Sequence, residues 1–450
     1  MRTHTARLAA MGVIAAASNL TAAGETPTWV GGVGDWNNPA NWSTGAVPPA
    51  GSGFFITNGG AATATDLDLD LGDAIVGGLP GPDTGDGALT IRGGTSSIGQ
   101  AFGVFIGQLD GTTGALTLTD GAQVQSNARL VLGRWGAAAG EIDGGAVLDA
   151  GKFFVGGQDR TDTRRFTADA TLDIAGPGTA VRATAPNGFP AFTIGLEGRA
   201  DVTVRDGALV DTTDLLLVTT TPADSTLTIE GPDTVVRVAS DQGPAFGFAF
   251  GRDIALDPGI ETGDAIITLR AGATIDARDT LGRVSITEQG VLRGAGRVLG
   301  DAVNRLGLID PGEGGSFGHL TISGTLDNSG DIDHSPDFGG TLRFDIGGVA
   351  LGQHDRITVG SLLRGGTLEV ALAPGYDASL GDTFGLVTIT EGITFPEPNA
   401  FDEVILPELG GPLFFETTID ASGVTLAVVP APPSLAALGV LGLGLTRRRR

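Results

Sequence analysis

Short strands of alternating apolar and polar residues recur along this chain, and each is closed by a glycine turn. Leu116-Thr-Leu118-Thr, Val202-Thr-Val204-Arg, Leu227-Thr-Ile229-Glu, Leu342-Arg-Phe344-Asp-Ile346 and Thr367-Leu368-Glu369-Val370-Ala-Leu372 all carry a period of two, the mark of a strand buried on one face. Taking Ile91, Leu118, Ile142, Ile174, Val204, Ile229, Leu269 and Ile286 as equivalent, the steps are 27, 24, 32, 30, 25, 40 and 17 residues, with a mean of about 28. Glycine follows two to four residues on, as in Asp120-Gly121-Ala122, Gly144-Gly145-Ala146, Asp206-Gly207-Ala208 and Ala271-Gly272-Ala273. A second mark falls in mid-repeat at Ile106-Gly107, Leu132-Gly133, Val155-Gly156, Ile194-Gly195, Phe250-Gly251 and Leu281-Gly282. Each unit therefore holds two or three strands, and a unit that small cannot bury its apolar face alone.

A period near 28 with three strands predicts one turn of a right-handed parallel β-helix, an all-β solenoid, since right-handed crossovers are the rule for parallel strands. Propeller blades are longer, and no leucine-rich consensus occurs. Over residues 54–428 the period allows about 13 coils. Composition agrees with an array. The 450 residues include 75 glycines and no cysteine, so many tight turns are available while disulfides and thiolate metal sites are excluded.

The charge is −25, from 27 basic and 52 acidic residues. Six arginines lie in the two ends, at Arg2, Arg7, Arg447, Arg448, Arg449 and Arg450. Without them 21 basic residues face 52 acids, a balance of −31. Such a surface repels phosphate backbones, so nucleic acid is not an expected partner, and self-repulsion keeps an extracellular surface soluble.

Residues 1–23 run from Arg2 and Arg7 through the apolar stretch Leu8–Leu20 to Thr21-Ala22-Ala23. That is the order of a secretory signal peptide, cleaved near Ala23. At the other end, Val429-Pro430-Ala431-Pro432-Pro433-Ser434 leads to an apolar segment, Leu435–Leu445, and then to Thr446 and Arg447–Arg450. The apolar segment falls short of the roughly 20 residues that cross a bilayer unaided, and flanking arginines would set its orientation and snorkel. Together these parts resemble the PEP-CTERM sorting signal, with Ala431 at the position of the family's glutamate. The resemblance implies a short hydrophobic helix held transiently in the inner membrane, arginines cytoplasmic, and cleavage by an exosortase-type enzyme. The sorting residues it marks are Val429, Pro430, Pro432, Arg447, Arg448, Arg449 and Arg450.

Between these ends, residues 24–53 hold three of the four tryptophans, Trp29, Trp36 and Trp42. The segment resembles the mature start of autotransporter-like and PEP-CTERM β-solenoid proteins, which implies an N-terminal cap over the first coil. Its rival is an aromatic platform for sugars. Residues 54–303 carry the repeats. From 304 to 428 the pattern changes to Asp310-Pro-Gly-Glu-Gly-Gly-Ser-Phe317, Gln353-His354-Asp355-Arg-Ile-Thr-Val359 and Gly381-Asp-Thr-Phe384. This part resembles the closing module of surface solenoids of the autotransporter-associated repeat type. The sorting tail, residues 429–450, takes the place of an autotransporter's membrane barrel.

Signs of chemistry are sparse. Asp66, Asp68, Asp70 and Asp73 are spaced as in a calcium loop, but Leu67, Leu69 and Leu71 between them predict an alternating strand with the aspartates outward. Asp327, Asp331, Asp333 and Asp337 form a second, weaker calcium candidate. His319, His334 and His354 are isolated, Lys152 is the only lysine, and P-loop and HExxH patterns are missing. No catalytic or cofactor-binding residue is assigned, and calcium is expected at most weakly. The expected function is a non-enzymatic, structural or adhesive protein of the cell envelope or extracellular matrix, meeting polysaccharide or other surface components. The alternative is a secreted polysaccharide lyase or glycosidase, an analogy from fold.

Overall fold

A computed structural model describes residues 25–78, 85–157, 168–185, 190–196, 198–219, 223–239, 248–252, 263–278, 283–329, 339–392 and 400–431. The expected signal peptide and the apolar helix of the sorting tail lie outside them. Among the described residues no helix is long and apolar enough to cross a membrane. The protein is all-β with long parallel sheets, the arrangement of a β-solenoid. It divides into two compact units, residues 1–292 with 296–302, and 293–295 with 303–450.

In the first unit one sheet runs in parallel from Val33–Asp35 through Gly60–Thr65, Gly87–Arg92, Thr113–Thr119, Ala137–Ile142, Ala168–Ala175, Gly198–Arg205 and Ser225–Glu230 to Ala265–Arg270. Coil pairs with coil at equal height. Ile91, Leu118, Ile142, Ile174, Val204, Ile229 and Leu269 form one continuous inward row, and all are buried. The repeat read from spacing is therefore the stacking register, with one correction. Ile286 pairs with Phe250 in the second sheet, because the step of 17 residues joins two different marks of the repeat.

That second sheet carries the mid-repeat mark, in a row of Ile106, Leu132, Val155, Ile194, Leu217, Phe250 and Ile286. Leu217 has Val218 after it where its neighbours have glycine, so the sequence pattern skipped it. Leu281-Gly282 lies outside the described residues. One coil reads Thr113–Thr119, the turn Asp120-Gly121, then Gln123–Leu132 with a register shift between Ser126 and Arg129. The three-segment unit expected from the period is thus present.

Turn chemistry and packing explain the rows. Asp120-Gly121, Gly144-Gly145, Asp206-Gly207 and Ala271-Gly272 are all pairs of consecutive positive φ angles, a conformation that favours glycine and tolerates aspartate. The alanine after each pair, Ala122, Ala146, Ala208 or Ala273, is fully buried, so the turn hands the chain back to the core. At Gly140 an added Cβ would lie 2.6 Å from a methyl of Leu132 and 2.8 Å from one of Leu172, which is why a glycine stands between leucines in the row Leu116, Gly140, Leu172.

Outside the core, charge is arranged across coils. Asp149, Arg182, Asp211, Arg237 and Asp276 occupy one row on consecutive strands, so acid and base alternate. Arg182 lies 3.3 Å from Asp149, and Arg237 lies 3.8 Å from Asp211 and 4.0 Å from Asp276. The pairs with both partners exposed contribute little, whereas Asp276 is buried; identical charges in such a row would repel at close range.

At the N-terminal edge Val33–Asp35 pairs with Ala61–Thr63. Trp29, Trp36 and Trp42 are all buried and meet edge to face, Trp29–Trp42 at 5.1 Å and Trp36–Trp42 at 4.7 Å, with Trp36 at 4.9 Å from Phe54 of the first coil. Trp29 Nε1 donates to Gly32 O and Trp42 Nε1 to Trp36 O. No indole face is left open as a platform for sugar.

In the second unit Leu308–Asp310, Thr341–Ile346, Thr367–Leu372 and Glu403–Ile405 stack in parallel, and His319–Asp327, Arg356–Leu363 and Thr383–Ile389 form a companion sheet. A purely parallel body was expected, and the last strands depart from it. Gly423–Pro430 runs antiparallel to Thr383–Ile389, and Leu413–Asp420 antiparallel to Gly423–Pro430. The tight turn at Ala421-Ser422 permits only this direction, since a parallel return needs a long crossover. Val429 and Pro430, read as the start of the sorting tail, pair with Phe414 and Leu413 in this hairpin.

Two measurements check these readings. Gly121 has φ +76° and open space around its missing Cβ, whereas Gly32 has open space without a positive φ. Gly121→Ala should lower stability by about 1–2 kcal/mol through backbone strain alone, and Gly32→Ala should not, as urea midpoints will show. Arg182→Glu places three acids in succession and should lower the melting temperature in low salt, with much of the loss recovered in high salt.

Candidate functional site: a buried carboxylate triad

The calcium-like aspartates have other duties. Asp66 sits at a turn with positive φ, Asp68 accepts from Thr95 N at 3.1 Å, and Asp70 accepts from Gln100 Nε2. Asp73 Oδ1 accepts from the backbone N–H groups of Ala101, Phe102 and Gly103 at 3.1, 2.8 and 2.8 Å. Asp66, Asp68 and Asp70 are exposed, and all but Asp66 reach residues of the next coil. Only Leu69–Asp70 is strand, so the predicted long alternating strand is reduced to two residues. Of the second calcium candidate, Asp327 accepts from Ser329 N and Oγ at 3.0 and 2.6 Å; Asp331, Asp333 and Asp337 lie outside the described residues.

The carboxylates that do converge were missed. Asp310 ends the strand Leu308–Asp310, Asp345 lies in Thr341–Ile346, and Asp355 immediately precedes Arg356–Leu363. One oxygen from each lies within 4.8 Å of the others. Asp355 is fully buried. Its Oδ1 accepts from Gly318 N at 2.7 Å and its Oδ2 from Asp345 N at 2.8 Å, while its own N–H donates to Asp345 O at 2.9 Å. Gly312 packs beside the carboxylate, where an added Cβ would stand 2.4 Å from Ser316 O and 3.1 Å from Asp355 Oδ1. In sequence these residues were visible only as single aspartates after apolar positions, separated by 35 and 10 residues along the chain.

Burial, and after it the charges of Asp310 and Asp345, push the Asp355 carboxyl up to about 7 against the two amide hydrogen bonds. Asp310 is also raised, by burial and then by Asp345, with Arg343 and Arg293 opposing and Glu369 adding to the rise. Arg343 reaches Asp345 at 3.6 Å. Three like groups this close cannot all ionise without cost. A proton or a cation would relieve them. Calcium takes about six to eight oxygen ligands, more than the three side chains supply, whereas a single shared proton needs no further ligand.

The neighbouring histidines are structural in their contacts. His354 Nδ1 donates to Gly348 O at 3.1 Å, and the ring meets Phe384 edge-on at 5.7 Å; burial lowers its pKa. His319 shares a hydrogen bond with Thr358 Oγ1 at 2.8 Å, and burial lowers it too. Neither is bonded to a carboxylate in the manner of a base held by an acid. Glycoside hydrolysis needs two carboxyl groups about 5 Å or more apart on either side of a substrate, and a fully buried Asp355 is closed to one.

Among known proteins, no protein-family model and no curated protein matches this chain.

The triad predicts a pH dependence. Asp355 holds its proton up to about pH 7 in the native state but releases it near its ordinary value of about 4 when unfolded. Between those values the native state binds more protons, so stability falls as pH rises and is flat on either side. Asp310→Asn removes one facing charge and should reduce that fall. The measurement is the melting temperature between pH 4 and pH 8 for both proteins; equal slopes would discount the coupling.

Proposed function

We propose that the protein is an exported, non-enzymatic component of the cell envelope or extracellular matrix, a right-handed parallel β-solenoid that serves a structural or adhesive role. Its acidic groups support this reading more than any other observation. Besides Asp68 and Asp73, Asp86 accepts from Thr113 N at 2.7 Å, Asp224 from Asp264 N at 2.8 Å and Asp402 from Gly366 N at 2.6 Å. Carboxylates tied to backbone amides of an adjacent coil act as architecture. They are poorly placed to exchange protons with a substrate.

Export rests on the signal-like residues 1–23. The sorting-signal-like end supports passage through the inner membrane, where an exosortase-type enzyme would release the body to the surface. Extracellular polysaccharide and cell-surface components are then its partners.

Fractionation tests the reading. In a bacterium carrying an exosortase, wild type should lose residues up to about Ala23 and part of its C-terminus and be recovered outside the inner membrane. Replacing Arg447, Arg448, Arg449 and Arg450 by serine should remove the orientation signal and leave the C-terminus unprocessed. Mass spectrometry of both termini reads the result. Identical termini in wild type and variant would refute sorting by this tail.

A further inference from the structure

We infer that one end of the second unit, formed by the turns at residues 347–353 and 374–382 and the free end of the closing hairpin, rests on a lipid bilayer while the C-terminal segment anchors the protein. The inference deepens the sorting reading above and rests on it for the anchor.

Other turns here carry aspartate and glycine at their tips, as at Asp120-Gly121 and Asp206-Gly207. The turn Gly347-Gly348-Val349-Ala350-Leu351-Gly352-Gln353 instead presents Val349 and Leu351, 51% and 77% exposed, and the turn at 374–382 presents Leu380, 62% exposed. Single exposed apolar side chains are ordinary, but these converge. His354 Nδ1 donates to Gly348 O at 3.1 Å while its ring meets Phe384 edge-on at 5.7 Å, so the first turn is fastened beside the start of Thr383–Ile389. Gly381 N donates to Val428 O at 3.0 Å and Val428 N to Asp382 O at 2.9 Å, which sets the second turn beside the end of Gly423–Pro430. Phe414, also exposed, pairs with Val429 there. Hydrogen bonds at the base of each turn hold the tips out of the core. Gly347 N donates to Gln353 O at 2.8 Å, and Asp382 Oδ2 accepts from Ser379 N at 2.7 Å and Tyr376 Oη at 2.9 Å.

What covers these tips follows from where the chain goes next. Val429 and Pro430 are fixed in the hairpin, Ala431 N donates to Pro412 O at 2.6 Å, and the apolar segment Leu435–Leu445 begins five residues after Pro430. At full extension five residues span at most about 18 Å, of which the headgroup layer takes roughly 5–8 Å. An inserted segment therefore keeps the tips at the membrane surface, at an effective concentration that makes weak contacts count. Charge decides which part of the lipid they meet. No lysine or arginine occurs in residues 347–353, 374–382 or 412–416, whereas Asp377 and Glu416 are exposed. The contact is with the apolar boundary beneath the headgroups and not with lipid phosphate.

The chain has no cysteine, so one introduced thiol can carry a polarity-sensitive dye. Full-length protein is reconstituted in phosphatidylcholine vesicles containing a lipid-borne quencher, with the dye at Leu351→Cys, Leu380→Cys, Val440→Cys or Leu306→Cys. Val440 reports on the apolar segment. Leu306 is 45% exposed and lies before Leu308–Asp310, where Thr341 N donates to Gly307 O, so it marks the opposite end of the strands that lead into the turn at 347. Dye at Leu351→Cys and Leu380→Cys should be quenched about threefold or more strongly than at Leu306→Cys. Val349→Ser with Leu351→Ser should weaken quenching at Leu380→Cys with an unchanged melting curve, and added anionic lipid should not strengthen it. Quenching at Val440→Cys alone, or equal quenching at Leu306→Cys, overturns the contact and leaves the anchor standing. No quenching at Val440→Cys refutes the anchor itself, and the contact with it. A blue shift at Leu351→Cys already present without vesicles shows that the apolar segment or a second copy covers the face, and overturns lipid as its occupant.

Discussion

Every other feature of this protein depends on parallel pairing of each coil with the next at equal height. In that arrangement a residue meets its equivalent about 4.8 Å away on both sides, so any side chain placed once is in effect placed as part of a row. Apolar rows become a continuous core, as from Ile91 to Leu269. Charged rows become a liability, because repeated identical charge would repel along the whole stack. The alternation from Asp149 to Asp276 answers that constraint, and so do the aspartates whose oxygens are occupied by amide N–H groups of a neighbouring coil.

The same constraint makes exceptions informative. Where three carboxylates are brought together at Asp310, Asp345 and Asp355, burial and the facing charges raise the proton affinity of Asp355. Where Arg129 and Lys152 stand in register, two cations are neighbours, with the Arg129 guanidinium over the Phe105 ring. Both sites set like charges close together on a scaffold that elsewhere separates them. They differ in access: Asp355 is sealed, while Phe102 beside Arg129 is open to solvent. The first is therefore suited to pH-dependent stability.

The ends meet a different requirement. A stack of coils leaves unpaired edges at which other chains can add. At the N-terminal edge three indoles pack against one another and Phe54. The second unit ends in an antiparallel hairpin, Leu413–Asp420 with Gly423–Pro430, which turns the chain back on itself and breaks the template for further parallel addition.

Strand period, coil length and the positions of the turns were legible in the sequence, because they depend on local alternation and on glycine at positive φ, as at Asp120-Gly121 and Asp206-Gly207. The burial of Trp29, Trp36 and Trp42 was expected from their place before the first coil. Ile286 was misassigned since a spacing of 17 residues does not reveal which of two sheets a strand joins. The antiparallel closure carried no distinct local signal. Nor did the sites. Asp310 and Asp355 are 45 residues apart, and Arg129 and Lys152 are 23 apart; each pair meets only through the stacking register, and that register depends on the lengths of the turns between them. Short-range alternation sets the repeating unit and its inward and outward faces. Which outward residues became neighbours was decided by the tertiary structure, because lateral contact between coils is long-range in the chain.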